Sequence, residues 1–364
     1  MNHMDEYRDR RIVLGLAARI GADAGRLAQP VTFMEVCGTH TMSIHQHSLR
    51  QLLPPQVRLI SGPGCPVCVT PNGYIDRAVA CCRLPGTIIA TFGDMVRVPG
   101  STSSLMEERA RGADLRIVYS PLDAVAMAAG NPDRKVIFLG VGFETTAPTV
   151  AGSILAASAK RLSNYHVLSA HKTIPIPMQE LSADPELAID GYLCPAHVSA
   201  VIGADAYSFL AEKQGIPCVV TGFEPADVMM GVEMLVRQVV EGRSVVEIEY
   251  NRVVKREGNR KAQAVMAEVF APCDAEWRGL GIIPGSGLEI RETYAAFDAE
   301  RVFSPLDVEE LREHAGCRCG DILTGKATPV DCPLFGTACT PEEPAGACMV
   351  SSEGTCAAAY KYGR

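Results

Sequence analysis

A chain of 364 residues with 47% hydrophobic and 21% charged residues has the composition of a folded globular protein and the length of two or three domains. Its formal charge of -8, with no long Lys/Arg run, argues against nucleic acid as a partner. No membrane or secretion is expected either, since no run approaches the roughly 18 uninterrupted apolar residues of a span and the acidic N-terminus is unlike a secretory signal.

Residues 5–28 have apolar and charged faces at helical spacing and predict an amphipathic helix. Beyond it, short apolar strands alternate with loops rich in Gly, Pro, Thr or Cys and with helical stretches. The expected strands are 31–36, 57–60, 87–92, 115–119, 136–141, 166–169, 189–193 and 217–220. Strands alternating with helices imply βαβ units and parallel sheets; such strands are buried on both faces and run uniformly apolar, as VIFLGV does. The strand endings rhyme, with EVCGTHT, SGPGCPVCVT and TFGDMVRVPG followed later by VGFETTAP, YLCPAHVSA and TGFEPADV. The expected fold is therefore α/β: two similar parallel-sheet α/β domains, residues 29–134 and 135–243, plus a third α+β domain, 244–364, packed with the N-terminal helix of residues 1–28. Open α/β sheets place their sites in loops at the carboxyl ends of strands, and two facing domains would pool these loops in one cleft. Past residue 243 a strand is expected over 245–250 and a helix over 258–270, while GLGIIPGSGLEI reads as a Gly-rich turn region. The tail from Gly316 has few large apolar residues and cannot build its own core, so a metal cluster is expected to order it.

The expected location is the cytoplasm, where thiols stay reduced, so the 14 cysteines point to metal or redox chemistry rather than structural disulfides. In EVCGTHT, Cys37 and His40 stand three apart on a strand-to-helix loop. The helix N-terminus is expected to lower the thiol pKa, although a lone Cys before Gly is as often buried filler. Cys65 and Cys68 in GPGCPVCVTP form a CxxC pair able to close a disulfide or share a metal, on a loop that Gly and Pro mark as tight and exposed. Half of a zinc site is the alternative, but no second CxxC completes it. Cys81 and Cys82, adjacent on a helix, read as packing residues. Asp94 and Arg97 come from TFGDMVRVPGS, and Glu144, Thr145 and Thr146 from GFETTAP, where they could merely cap a helix. His171 and Lys172 come from HKTIPIPM, and Cys194 and His197 from CPAHVSAVIG. Each is weak alone and gains weight from its place at a strand end. GDILTGKA, residues 320–327, resembles a P-loop but lacks the Ser or Thr after lysine and the preceding strand, and reads as coincidence.

Six cysteines crowd the tail: Cys317, Cys319, Cys332, Cys339, Cys348 and Cys356. Four thiolates are the usual holder of an iron–sulfur cubane. Structural zinc, the rival, favours CxxC pairs, and the tail has none.

Together, EVCGTHT, GPGCPVCVTP, FGDMVRVPGS, GFETTAPT, CPAHVSAVIG and the cysteine tail closely resemble the HypD family of nickel–iron hydrogenase maturation factors, over nearly the whole chain. The family's cluster spacing, C-x14-C-x6-C-x16-C, falls here on Cys317, Cys332, Cys339 and Cys356, with Cys319 and Cys348 as possible replacements for one of the four. The resemblance implies a scaffold that, with a small HypC-type chaperone, assembles the Fe(CN)2(CO) unit. Cyanide would come from a HypE-type donor, and the unit would pass to the hydrogenase large subunit. The resemblance also implies that Cys37 is a ligand of that iron, with a partner cysteine as the other, and that His40 and Asp94 line the site. Cys65 and Cys68 would be a dithiol/disulfide pair exchanging electrons with a 4Fe–4S cluster. A His40 hydrogen bond donated to a cyanide nitrogen would fit this picture. The chemistry implied is assembly with redox steps rather than conventional turnover. A reading from another class, an iron–sulfur-dependent thiol–disulfide oxidoreductase, stands beside it, and a zinc-stabilised binding module is third. Infrared CN and CO stretches separate the first two; metal analysis decides the third.

Overall fold

In the computed structural model, which describes residues 5–312 and 314–363, eleven strands form three sheets. The first four residues of the expected N-terminal helix lie outside the described residues. Nine strands are parallel: β1 (Val31–Glu35), β2 (Val57–Ser61), β3 (Thr87–Thr91), β4 (Asp114–Ile117), β5 (Lys135–Gly140), β6 (Tyr165–Ser169), β7 (Gly191–Pro195), β8 (Cys218–Thr221) and β9 (Val246–Ile248). β10 (Phe270–Trp277) and β11 (Gly281–Ile290) form an antiparallel hairpin. All nine expected strands are present, because a parallel strand buried on both faces is a continuous apolar run.

The first sheet has the order β2-β1-β7-β8-β9 and the second β4-β3-β5-β6. The chain thus leaves the first sheet after β2, builds all of the second, and returns at β7. The boundaries expected at 134/135 and 243/244 do not follow this division. Residues 29–134 contribute strands to both sheets, and β9, past residue 243, belongs to the first. The loop motifs rhyme because every parallel strand ends on the same edge of its sheet, not because the chain repeats in tandem.

Alternate strand residues sort to opposite faces. In β5, Ile137 and Leu139 enter the core shared by both sheets, while Val136 and Phe138 enter one behind the second sheet. In β7, Tyr192 and Cys194 enter the shared core, and Leu193 one behind the first sheet. The N-terminal helix, Arg10–Ala24, is capped by the Asp9 carboxylate, which accepts from the Arg11 amide. Its stripe of Val13, Leu16 and Ile20 packs in the core behind the first sheet against helix Pro225–Val240, with Arg19 paired to Glu233 at 2.6 Å. It therefore joins the first sheet rather than the C-terminal segment.

GLGIIPGSGLEI is not a turn region; most of it is β11. Gly279, Gly281 and Gly285 have φ near +81°, +71° and +67°, and this glycine content hid the strand pattern. The tail inserts Ile322, Leu323, Ala347, Met349 and Val350 into the shared core, so it leans on the body of the protein. Among the described residues, no helix is long and apolar enough to cross a membrane.

Candidate functional site

The first sheet reverses direction of build-up at β1, which has β2 on one side and β7 on the other. Such a switch point opens a crevice at the carboxyl ends of its strands, and Cys37 lies there. Cys37 leaves β1 in extended conformation (φ -151°, ψ 124°) and caps helix Gly38–Gln46. It is buried, and its Sγ stands 3.8 Å from His197 Nε2, delivered by the first turn of helix Ala196–Ile202, which follows β7 directly. The loop after β2 locks against it, with the Gly38 amide donating to Gly64 O at 3.0 Å. The Glu35 carboxylate spans the turn, accepting from the Cys37 amide at 3.1 Å and from Thr41 Oγ1 at 2.5 Å. Burial pushes the Glu35 carboxyl up to about 7, opposed by hydrogen bonds from Ser61, Thr41 and the Cys37 amide. At Gly38, a Cβ would lie 2.5 Å from Glu353 Cβ, so glycine lets the tail close over the turn. Glu353 Oε1 then accepts from Thr39 Oγ1 at 2.7 Å.

The helix terminus does not lower the Cys37 thiol pKa, as the motif suggests it should. Burial pushes it up, Glu353 adds to this, and the His40 and Thr39 amides offset only part. His40 also differs from expectation. Burial lowers its pKa to about 4, so the ring is neutral. Its Nε2–H donates to Gly222 O at 2.9 Å, leaving Nδ1 as a buried acceptor without a partner among the described residues. His40 is therefore arranged to accept at Nδ1, not to donate to a cyanide nitrogen. Phe223 lies between the two histidines, 5.0 Å from each ring centre. Asp94, exposed on the turn Gly93–Arg97 after β3, has no hydrogen bond to Cys37 or His40. Its Oδ2 accepts from Ser351 Oγ at 2.8 Å, which ties it to the tail segment that carries Glu353.

Cys65 and Cys68 are joined as a disulfide, with Cα atoms 5.2 Å apart. Cys65 caps the short helix Pro66–Val69, and its Sγ accepts from the Cys68 amide at 3.3 Å. The pair is buried, not on an exposed loop. Gly and Pro mark the turn correctly, but the tail and the hairpin cover it. Arg278, just past β10, donates from Nε to Cys68 O and Thr70 O, both at 3.2 Å, and from Nη2 to Thr70 O at 2.7 Å. Its amide donates to Val69 O at 2.9 Å. The terminal carbonyls of that helix, orphaned by geometry, are thus taken by one residue. Cys68 Sγ lies 3.9 Å from Ala347 O, beside Cys348.

All six tail cysteines line one small cavity of about 10 Å³, with Ile322, Phe335 and Met349. Cys319 and Cys348 bring their sulfurs to 2.8 Å. Hydrogen bonding with Cys317 and Cys348 pulls the Cys319 thiol down and the other two up; the Arg278 charge helps to lower Cys319. Cys319 also contacts Cys317, and Cys348 also contacts Cys356, so the six thiols form one connected group around the cavity. Among the described residues, no three candidate donors converge closely enough for a single metal ion. A cubane carries its irons at separate corners, so its four thiolates stand farther apart than those of one ion. The donor set and the apolar walls fit such a cluster.

Several other motif residues lie elsewhere. Cys194 packs against Cys218 in the shared core, so of CPAHVSAVIG only His197 joins the site. Glu144 is buried; its Oε1 accepts from the Ile174 amide at 3.0 Å, Oε2 has no partner among the described residues, and burial raises its pKa to about 7. Thr146 Oγ1 donates to Phe143 O at 3.2 Å, and Arg97 donates to Pro341 O at 2.9 Å. Cys81 is buried and Cys82 half-buried on their helix, as packing residues should be. Lys326 pairs with Asp184 and Glu186, which supports reading GDILTGKA as coincidence. Glu35 opens EVCGTHT, but the motif reading singled out only Cys37 and His40; Glu353 and Arg278 carry no such signal.

Residues 11–363 match the family model described as HypD, Hydrogenase formation hypA family. Among curated proteins, the whole chain is 49% identical to the hydrogenase maturation factor HypD2 of Bradyrhizobium diazoefficiens, covering 97% of it. It is 47% identical to the hydrogenase maturation factors HypD of Escherichia coli and of Cupriavidus necator, over the whole chain and 98% of each.

Proposed function

From the premise that the chain belongs to the HypD family and is a hydrogenase maturation factor, we propose that it is the cytoplasmic scaffold on which the Fe(CN)2(CO) unit is assembled. It acts with a small HypC-type chaperone, takes cyanide from a HypE-type donor, and serves the hydrogenase large subunit as final acceptor. The observation that carries this reading is the Cys37 thiol, buried at a sheet switch point beside His197 and under the Glu353 segment.

Cys37 contributes a soft thiolate, suited to iron that bears cyanide and carbonyl. Iron binding releases the thiol proton, and His197 Nε2 is the base within reach. His40 Nδ1 stands at the wall as an acceptor with no donor among the described residues, while Asp94 and Glu353 hold the tail across the mouth. A 4Fe–4S cluster held by Cys317, Cys332, Cys339 and Cys356 would supply electrons singly. Cys319 and Cys348, at 2.8 Å, can open and close as a two-electron pair. Two such electrons and two protons would open the Cys65–Cys68 disulfide to the dithiol.

The test is anaerobic co-expression with the small chaperone and cyanide donor, followed by infrared spectroscopy. Wild type should show CN and CO stretches. Cys37→Ala should lose them while its iron content from the tail stays near four per chain, as one cubane requires. Bands of wild-type intensity in Cys37→Ala would place the iron elsewhere. A wild-type complex that cycles its disulfide yet never shows the bands would favour the oxidoreductase reading instead.

A further inference from the structure

Away from the cysteine sites, a cleft of about 360 Å³ opens where the end of β6 meets the β10–β11 hairpin and helix Asn72–Cys82. The segment after β6 is clipped to β11. The Leu288 amide donates to His171 O at 3.0 Å, the Thr173 amide donates to Ser286 O at 2.9 Å, and Lys172 stands opposite Gly287 in an antiparallel bridge. Gly287 in turn stands opposite Cys273 in the hairpin. Residues paired across antiparallel strands share a face, so Lys172, Gly287 and Cys273 form a row with a gap at its centre. A Cβ at position 287 would come within 2.7 Å of Ala275 Cβ and 3.0 Å of Cys273 Sγ. The glycine keeps that floor open.

Lys172 lies on the floor, only 4% exposed. Its Nζ stands 5.6 Å from the centre of the Trp277 ring and has no hydrogen-bond or ion-pair partner among the described residues. A buried ammonium without a bonded counter-ion is costly. Burial lowers its pKa to about 8, with Glu276 and Cys273 opposing and Arg77 assisting. Most other charges in the wall are engaged. Arg77 pairs with Glu300 at 3.5 Å, Arg301 with Asp298 at 3.3 Å, and Asp274 accepts from the Gly285 amide at 3.0 Å. Glu276 and Glu289 remain, exposed on the hairpin at the mouth. The cleft is thus polarised, cation inside and anions outside. A bare anion is repelled at the mouth and a bare cation at the floor.

We propose that this cleft binds a small zwitterion of the amino-acid class, with its carboxylate on Lys172 Nζ and its ammonium toward Glu276 and Glu289. Its volume is in the range of small-molecule sites. Trp277 is the only tryptophan of the chain, so its emission reports on the floor directly. The full-length protein is titrated with L-alanine and with γ-aminobutyrate, and with acetate and ethylammonium as the two halves, at constant ionic strength, with calorimetry alongside. A saturable response to at least one zwitterion is expected, with either half weaker by about tenfold, the loss of roughly one charge-assisted contact. Lys172→Met, which retains an apolar stem against Trp277, should abolish the response. Glu276→Gln, an exposed change that spares the fold, should weaken binding several-fold, and Cys37→Ala should leave it unchanged. The proposal is overturned if neither zwitterion binds, if acetate binds as tightly as the zwitterions, or if folded Lys172→Met or Glu276→Gln binds like wild type.

Discussion

At Gly64 a Cβ would come within 2.1 Å of the Cys37 amide nitrogen and 2.3 Å of its Cα, and neither backbone atom can step aside. Gly64→Ala should therefore cost more than about 2 kcal/mol in denaturant unfolding, as overpacking at a rigid contact does, and should weaken the infrared bands of bound iron. Glu144 offers a pH test. Its carboxyl is raised from 4.5 to about 7 by burial, so between these values the folded state holds a proton that the unfolded state has released. Its contribution is present below pH 4.5 and is lost as pH rises through 7, by about 3 kcal/mol at most. Glu144→Gln keeps the acceptor for the Ile174 amide and should flatten this part of the stability–pH curve; an unchanged slope would assign it to other groups. Cys37, Cys65 and Cys68 were legible at this scale because each sits in a motif. Burial of the CxxC pair was not, since its cover comes from residues more than two hundred positions away. Nor was the direction of the Cys37 shift, which balances desolvation against dipoles.

Helix Pro66–Val69 is too short to hold itself, and its end depends on Arg278. Arg278→Met should destabilise the protein by about 2–3 kcal/mol, the range for buried bonds to a charged donor. It should also speed alkylation of reduced Cys68, followed by mass spectrometry; alkylation at the wild-type rate would mean that the tail alone covers the pair. Arg278→Lys should rescue only partly, since an ammonium lacks the fork that reaches two carbonyls. The parallel strands could be read because their apolar runs are local. Arg278 could not, because its role depends on a hairpin whose glycines disguised β11 and left no alternation to follow.

For the whole molecule, strand partners were the illegible part: β1 pairs with β7 across more than 150 residues, and nothing local encodes that choice. Residues 29–134 hold two strands of each sheet and should not fold as a separate fragment; cooperative unfolding of that fragment would contradict the topology. The tail rests on the shared core, and the proposed cluster would add order of its own. Removing iron with a chelator should raise hydrogen exchange over 316–363 while β3, β5, β7 and β8 stay protected. Equal protection before and after would show that packing alone orders the tail. The split first sheet also has a consequence in time. On the ribosome, Cys37 and the CxxC pair emerge long before β7 brings His197 and longer still before Glu353 closes the mouth. Until then the crevice has one wall and no roof, and its thiols meet whatever the surrounding medium holds. On the function proposed, a chain still being made would be a poor recipient for iron, and loading would wait until Glu353 is in place.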